Sequence, residues 1–240
     1  MDTVHHTQSW WTLSTKVPTV ADDRSSAARS QASDLSGRRT PRARGAVRSA
    51  LVEAGLELAR SGGPDAVVLR EVTRMVGVVP NTAYRHFPDR DALLAAVRDK
   101  AVRELAQRMA DRVGQVRPGP HTPTGARLRL RAVGQAYLAF ARQEPGLFET
   151  AFATTEHPPP DQRADAPGPF DYLRSALDNL VDAGILAPAR RPDIEYPTWA
   201  GVHGLAVLLR GPLRSLPERE KAHLEAQLLA FIAAAASSPE

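Results

Sequence analysis

The chain has 240 residues, 42% of them hydrophobic and 24% charged, an ordinary globular mixture with enough apolar material for a core. It contains no cysteine, which excludes disulfides, cysteine zinc sites and thiol nucleophiles together, and no apolar run nears the ~20 residues of a membrane-spanning helix. The net charge is only +4, but residues 38–112 hold 15 Lys/Arg against 9 Asp/Glu, while residues 1–37 hold 3 against 4 and residues 113–240 hold 13 against 14; the excess lies in the middle block, as in a module that pairs with phosphates.

Residues 1–40 are rich in Ser, Thr, Ala, Asp and Arg and show no sustained period. They read as a disordered N-terminal arm, or as a start assigned too early. Met1 to Lys16 carries His, Gln and two Trp where a secretory signal needs a basic start and an apolar stretch, so a cytoplasmic protein is expected. Helical signals then dominate. Val47, Ala50, Leu51, Ala54 and Leu58 form one helical stripe, ended by Ser61-Gly62-Gly63-Pro64. Leu69, Val72, Met75 and Val76 mark a second, short helix stopped at Gly77. A third starts at Pro80, a residue suited to a first turn, and runs to Phe87. Asp89 caps a fourth, whose apolar face is Leu93, Leu94, Val97, Val102 and Leu105.

The Gly/Pro cluster from Gly114 to Pro123 breaks the pattern. Beyond it, helix-like stretches span about 125–143, 146–153, 169–184, 191–210 and 217–235, with a Pro/Asp/Gly-rich loop between 155 and 169. No strand-type alternation stands out. The expectation is an all-α chain: arm 1–40, a helix-turn-helix domain with connecting helix over 41–113, and a helical effector-binding and dimerisation domain over 124–236.

Leu69 to Leu94 reads as helix, tight turn, helix, new helix. Gly77 sits where the turn needs positive φ. On the third helix Ala83 and Phe87 are four apart and face inward, leaving Asn81, Thr82 and Arg85 on another side with Tyr84 and His86 flanking. A short polar face of this kind suits a recognition helix entering the major groove of duplex DNA. Asn, Thr and Arg reach base edges, while Tyr, His and Thr commonly meet phosphates.

Gly77-Val78, Thr82, Tyr84-Arg85-His86-Phe87 and Asp91-Ala92-Leu93-Leu94 resemble the signature of the TetR family of bacterial regulators, over about residues 43–105. Two features depart from the pattern: Thr73 stands where a small Ala is usual, and Pro80-Asn81 replaces more common pairs. The resemblance implies a three-helix DNA-binding domain, a connecting fourth helix, and a helical domain that binds an effector and dimerises. It places Tyr84 and His86 on phosphates, Thr82 on a phosphate or base edge, and Arg90 on a phosphate. Asn81 and Arg85 are the expected base contacts. Arg42 and Arg44, just before the first helix, are expected at the minor groove or backbone, or else form a solvated charge run. Tyr84 also reads as a partly buried core aromatic.

In the C-terminal half, Tyr137, Phe140, Phe148 and Phe152 are followed by Trp199-Ala-Gly-Val-His203-Gly204. This resembles the C-terminal domain of TetR-type proteins named for its Trp-His-Gly element. Gly201 and Gly204 allow close helix approach. A hydrophobic effector is expected among Tyr137, Phe140, Phe148, Phe152, Phe170, Leu173, Leu177, Trp199 and His203; the alternative is that these residues form the core, with His203 a satisfied core histidine. Leu205, Leu208, Leu209, Leu224, Leu228 and Phe231 have the spacing for a helical dimer interface or for burial within the monomer. No cofactor and no metal are expected. The expected partners are a palindromic operator in duplex DNA, a second copy of the chain and a small-molecule effector. A repressor released by its ligand fits best. An effector-independent architectural protein and a helical enzyme using His203 are the alternatives, the latter weakened by the absence of nucleophile-elbow, phosphate-loop and His-Glu-x-x-His motifs.

Overall fold

A computed structural model of the chain describes residues 41–154 and 167–237, with side chains from Gly45 to Ala236 within them. The expected arm 1–40 and most of the 155–169 loop lie outside the described residues. Those described form nine α-helices and no strand: α1 (Pro41–Gly62), α2 (Leu69–Val76), α3 (Pro80–Tyr84), α4 (Arg90–Gly114), α5 (Pro123–Gln143), α6 (Pro145–Ala151), α7 (Pro169–Asp182), α8 (Glu195–Arg210) and α9 (Glu218–Ser237). Single 3-10 turns stand at Pro64–Ala66 and Pro188–Arg190. None of these helices is long and apolar enough to cross a membrane.

Local chemistry explains the boundaries. Helices α3, α5, α6 and α7 begin on a proline, whose missing N–H is not needed in a first turn. The Asp89 carboxylate accepts from the Ala92 N–H at 2.7 Å and starts α4, and the Thr122 hydroxyl accepts from Gly125 at 3.1 Å and starts α5. Three boundaries differ from the sequence pattern. Helix α1 already runs at Pro41, so Arg42 and Arg44 stand in its first turn rather than before it. Helix α3 ends at Tyr84, and the N–H groups of His86 and Phe87 both turn back to the Ala83 carbonyl at 2.9 and 2.8 Å. Helix α8 starts at Glu195 rather than 191 because Asp193 sits at φ 61, which no right-handed helix accommodates.

Helix α4 is the spine of the fold. At 25 residues it is about 37 Å long, and it packs against α1, α5, α6 and α7. One cluster of buried side chains runs from Leu51 and Phe87 through Leu93 and Leu105 to Phe140, Phe148 and Leu180. The 114–124 segment is thus a break in the chain, but the hydrophobic core does not divide there. Helix α6 reinforces the continuity. A Cβ on Gly146 would lie 2.2 Å from the Ala59 carbonyl oxygen and 2.7 Å from that of Arg60, so only glycine lets α6 seat against the end of α1. Beside this contact Arg60 pairs with Glu144 at 2.5 Å and Glu104 at 3.3 Å, and Arg108 pairs with Glu144 at 2.7 Å. These ion pairs tie α1, α4 and the α5–α6 junction together.

Candidate functional site

The first site is built on the α2–α3 turn. Gly77 takes φ 73, and its N–H and that of Val78 both return to the Thr73 carbonyl, at 3.0 and 3.1 Å. This closes α2 and reverses the chain in a conformation that a side chain disfavours. Thr73 is buried, and its hydroxyl donates to the Arg70 carbonyl at 2.8 Å, so the substitution of a small residue by Thr leaves no unsatisfied polar group. Ala83 and Phe87 are 0% and 1% exposed and pin α3 to the head. The Arg48 guanidinium lies over the Phe87 ring at 5.0 Å.

With its base buried, α3 presents the opposite side to solvent. Asn81, Tyr84 and Arg85 are exposed, and Thr82 and His86 are half-buried. Tyr84, 54% exposed, is not a core aromatic. Val79 in the turn is 66% exposed, an apolar side chain that periodicity did not single out because a turn has no period. Arg90 is engaged within the head: its guanidinium donates to the carbonyls of Pro64 at 2.6 Å and Val67 at 3.0 Å, and lies 3.7 Å from both Asp65 and Asp91. These bonds lock the start of α4 to the turn after α1. The backbone places Arg42 and Arg44 on α1; their side chains lie outside the described residues.

The second site lies between α5, α6 and α8. Tyr137, Phe148, Phe152, Trp199 and His203 converge into one ring cluster. The Phe152–His203 centroids are 4.9 Å apart, Phe148 stacks on His203 at 5.6 Å, and Tyr137 meets Phe148 edge-on at 5.6 Å. Phe170 of α7 joins at its edge, 6.1 Å from Trp199. The polar atoms are resolved internally. The Trp199 indole N–H donates to the Tyr137 hydroxyl oxygen at 3.4 Å, and the Tyr137 O–H faces His203 Nδ1 at 2.7 Å. The phenol oxygen thus gives both the indole N–H and His203 Nδ1 a hydrogen-bond partner. Burial pushes the His203 pKa down and the Tyr137 pKa up, both favouring the uncharged forms.

Three of the expected effector residues do not share this cluster's ring contacts. Phe140 is fully buried under the Arg108 guanidinium, 5.1 Å away, and Leu173 and Leu177 are core residues of α7. Arg210, not anticipated from sequence, places its guanidinium 5.3 Å from the Phe148 ring and pairs with Glu149 of α6. Its signal was weak: a charge at the end of an apolar helix ordinarily faces water.

On α8 and α9 the inward face is Val202, Ala206, Leu229, Ile232 and Ala236. Leu205, Leu208, Leu209, Leu224, Leu228 and Phe231 are all half-buried or exposed, with Phe231 70% exposed. A Cβ on Gly201 would stand 3.6 Å from Leu228, an ordinary contact, and one on Gly204 would have nothing within 4 Å. The close packing expected at these glycines is therefore absent within the described protomer.

Residues 51–97 match the family model described as bacterial regulatory proteins, tetR family, and residues 130–231 match that of the tetracyclin repressor-like C-terminal domain, a description that does not specify the Trp-His-Gly element. No curated protein sequence matches the chain. Among solved structures, a protein of unknown function from Rhodococcus sp. is 20% identical, covers 85% of this chain and 100% of its own, and superposes with a TM-score of 0.60. A tetR-family transcriptional regulator from Streptomyces coelicolor is 24% identical, covers 80% of this chain and 83% of its own, with a TM-score of 0.54. RolR, solved in complex with resorcinol, is 16% identical, covers 83% of this chain and 97% of its own, with a TM-score of 0.54. With both family models matched in the expected order on a fold of this kind, the chain belongs to the TetR family of DNA-binding transcriptional regulators.

Proposed function

We propose that this regulator is a homodimeric repressor that reads a palindromic operator and leaves it when a small aromatic or otherwise hydrophobic molecule occupies the ring cluster. The DNA-reading assignment rests on one observation: α3 buries Ala83 and Phe87 while exposing Asn81, Tyr84 and Arg85. Asn81 and Arg85 take the base edges, with bidentate chemistry suited to adenine and guanine respectively. Thr82, Tyr84 and His86 take phosphates, as do Arg42 and Arg44 from the first turn of α1. Arg90 is assigned a positioning role, because its donors already hold two backbone carbonyls.

The dimer is supported by the apolar outer face of α8 and α9, where Val207, Leu208 and Phe231 are 48%, 45% and 70% exposed. A second copy of the same face would remove them from water and set two recognition helices about 34 Å apart, one DNA turn. The ring cluster supports an aromatic effector, of the class that RolR holds in its solved structure. Because α6 carries Phe148 into the cluster and Gly146 against α1, a ligand that spreads the rings favours a different seating of the head, and linkage then weakens operator binding. His203 is assigned no catalytic part, since its Nδ1 faces a phenol held in its neutral form. The protein is expected to work in the cytoplasm, beside its DNA.

Selection of bound DNA from random duplexes by the purified protein tests the reading. The expected result is a two-fold symmetric site bound by two protomers and released by simple phenols. Recovery of unselected sequence would overturn it.

A further inference from the structure

The near-balance of charge over residues 113–240 hides a sharp division. From Arg112 to Gln143 the sequence carries six arginines and no aspartate or glutamate, whereas from Glu144 onward it holds 8 Lys/Arg against 14 Asp/Glu. Arg117 donates to the carbonyls of Gly114 at 3.0 Å and Val116 at 2.9 Å, and Arg129 donates to that of Pro118 at 3.0 Å. Both hold the loop after α4 in place. Arg142 is paired with Glu225 at 2.9 Å. The rest differ. Arg112 meets only the neutral side chain of Gln135, at 2.9 Å, and Arg131 is exposed with no carboxylate partner among the described residues.

Between these elements lies an open cleft of about 380 Å³, lined by Arg112, Arg117 and Arg131, by Gln115 and Gln135, and by apolar groups including the exposed Leu128. Among the described residues no carboxylate lines it. By contrast, Arg60, Arg108, Arg191 and Arg210 each meet an acid. Here three guanidinium groups share one concavity without a counter-charge among the described residues, and Arg127 adds a like charge one turn from Arg131 on α5.

We propose that this cleft is a binding site for a small, multiply charged oxyanion, an organic phosphate or polycarboxylate, with Arg112 and Arg131 as its principal contacts. The planar guanidinium fork matches the paired oxygens of either group. The Gln115 and Gln135 amides add neutral donors, and Leu128 receives an apolar portion of the ligand. The site stands at the far end of α4, where Arg112 lies about 33 Å along that helix from Arg90, so it is separate from the DNA-reading face and does not depend on that reading.

Calorimetric titration of the full-length protein with sodium tripolyphosphate, and separately with citrate, at low ionic strength tests the site. Saturable binding of one anion per protomer is expected, and the stronger of the two anions identifies the phosphate or carboxylate class. Arg112→Gln with Arg131→Gln should weaken binding roughly tenfold or more, the loss expected for two charge-assisted contacts. Arg85→Gln on the reading head should leave it unchanged. Should the double variant unfold, Arg131→Gln alone carries the test, because that exposed side chain has no partner to lose among the described residues. Absence of saturable binding by either anion overturns the proposal. So does loss of binding in Arg85→Gln equal to that in the cleft variant, which would place the anion on the DNA-reading face or in the general field of the protein.

Discussion

The reading head and the ring cluster distribute polarity in opposite ways. In the head, α3 buries apolar side chains, Ala83 and Phe87, while Asn81, Tyr84 and Arg85 face water. In the cluster, a phenol, an indole and an imidazole are turned toward one another, and the phenol oxygen, the indole N–H and the imidazole Nδ1 pair among themselves. A surface that must exchange water for DNA keeps its donors available; an interior that must hold its shape pairs them, because an unpaired buried donor costs more than a made bond gains.

The most forceful way to break this contrast is to remove the head's foundation. Phe87→Ala should cost about 3–5 kcal/mol of stability by leaving a cavity under α3 and should abolish operator binding with it; urea unfolding followed in parallel with DNA binding checks both. Changing the exposed face should separate the two properties. Arg85→Ala or Asn81→Ala is expected to cost roughly 1–3 kcal/mol in discrimination at one base pair while leaving the unfolding midpoint unchanged, as measured by binding to single-base operator variants. A fall in stability of similar size would mean that these side chains hold the fold instead.

The cluster should respond in reverse. Tyr137→Phe leaves the His203 Nδ1 and the Trp199 N–H without their shared hydroxyl and should cost about 1–3 kcal/mol of stability, with ligand-free DNA affinity preserved. Equal stability of the variant would show that the hydrogen-bonded chain contributes nothing. The smallest effect is on pH dependence. Burial lowers the His203 pKa below its usual 6.5 in the folded protein, so the unfolded chain takes up this proton first as pH falls. Stability is therefore full above about 6.5 and declines as pH drops toward the folded-state value. His203→Gln should flatten that decline; unfolding curves between pH 7 and pH 5 read the difference.

The head was legible in the sequence because its information is local. Gly77, Pro80, Ala83 and Phe87 lie within eleven consecutive residues, and the spacing that builds a tight turn and a short helix also sorts inward from outward side chains. Asp89 as a cap and Gly77 as a turn residue stand where the pattern put them. Arg90 was less legible: nothing in its spacing shows that Pro64 and Val67, more than twenty positions earlier, offer their carbonyls to it. The ring cluster was legible in part. Aromatic side chains at helical spacing mark an interior, but whether Phe140 joins His203 or turns under Arg108 depends on which side of α5 meets α6 and α8.

By itself the sequence determined the order of the helices, most of their starts and stops, and the identity of the face that α3 offers. These follow from backbone preferences, capping and apolar period, which act over a few residues. Only the tertiary structure decided that Tyr137 bonds to a histidine 66 positions away, that Gly146 seats α6 on α1, that one core spans both halves, and that Leu208 and Phe231 stay outside the protomer. The acid-free run of arginines was present in the sequence throughout, yet it became a cleft only when α4 and α5 were laid side by side. Pairings across long separations are chosen by shape and by the demand to satisfy buried polar atoms, and neither is written in the spacing of residues along a chain.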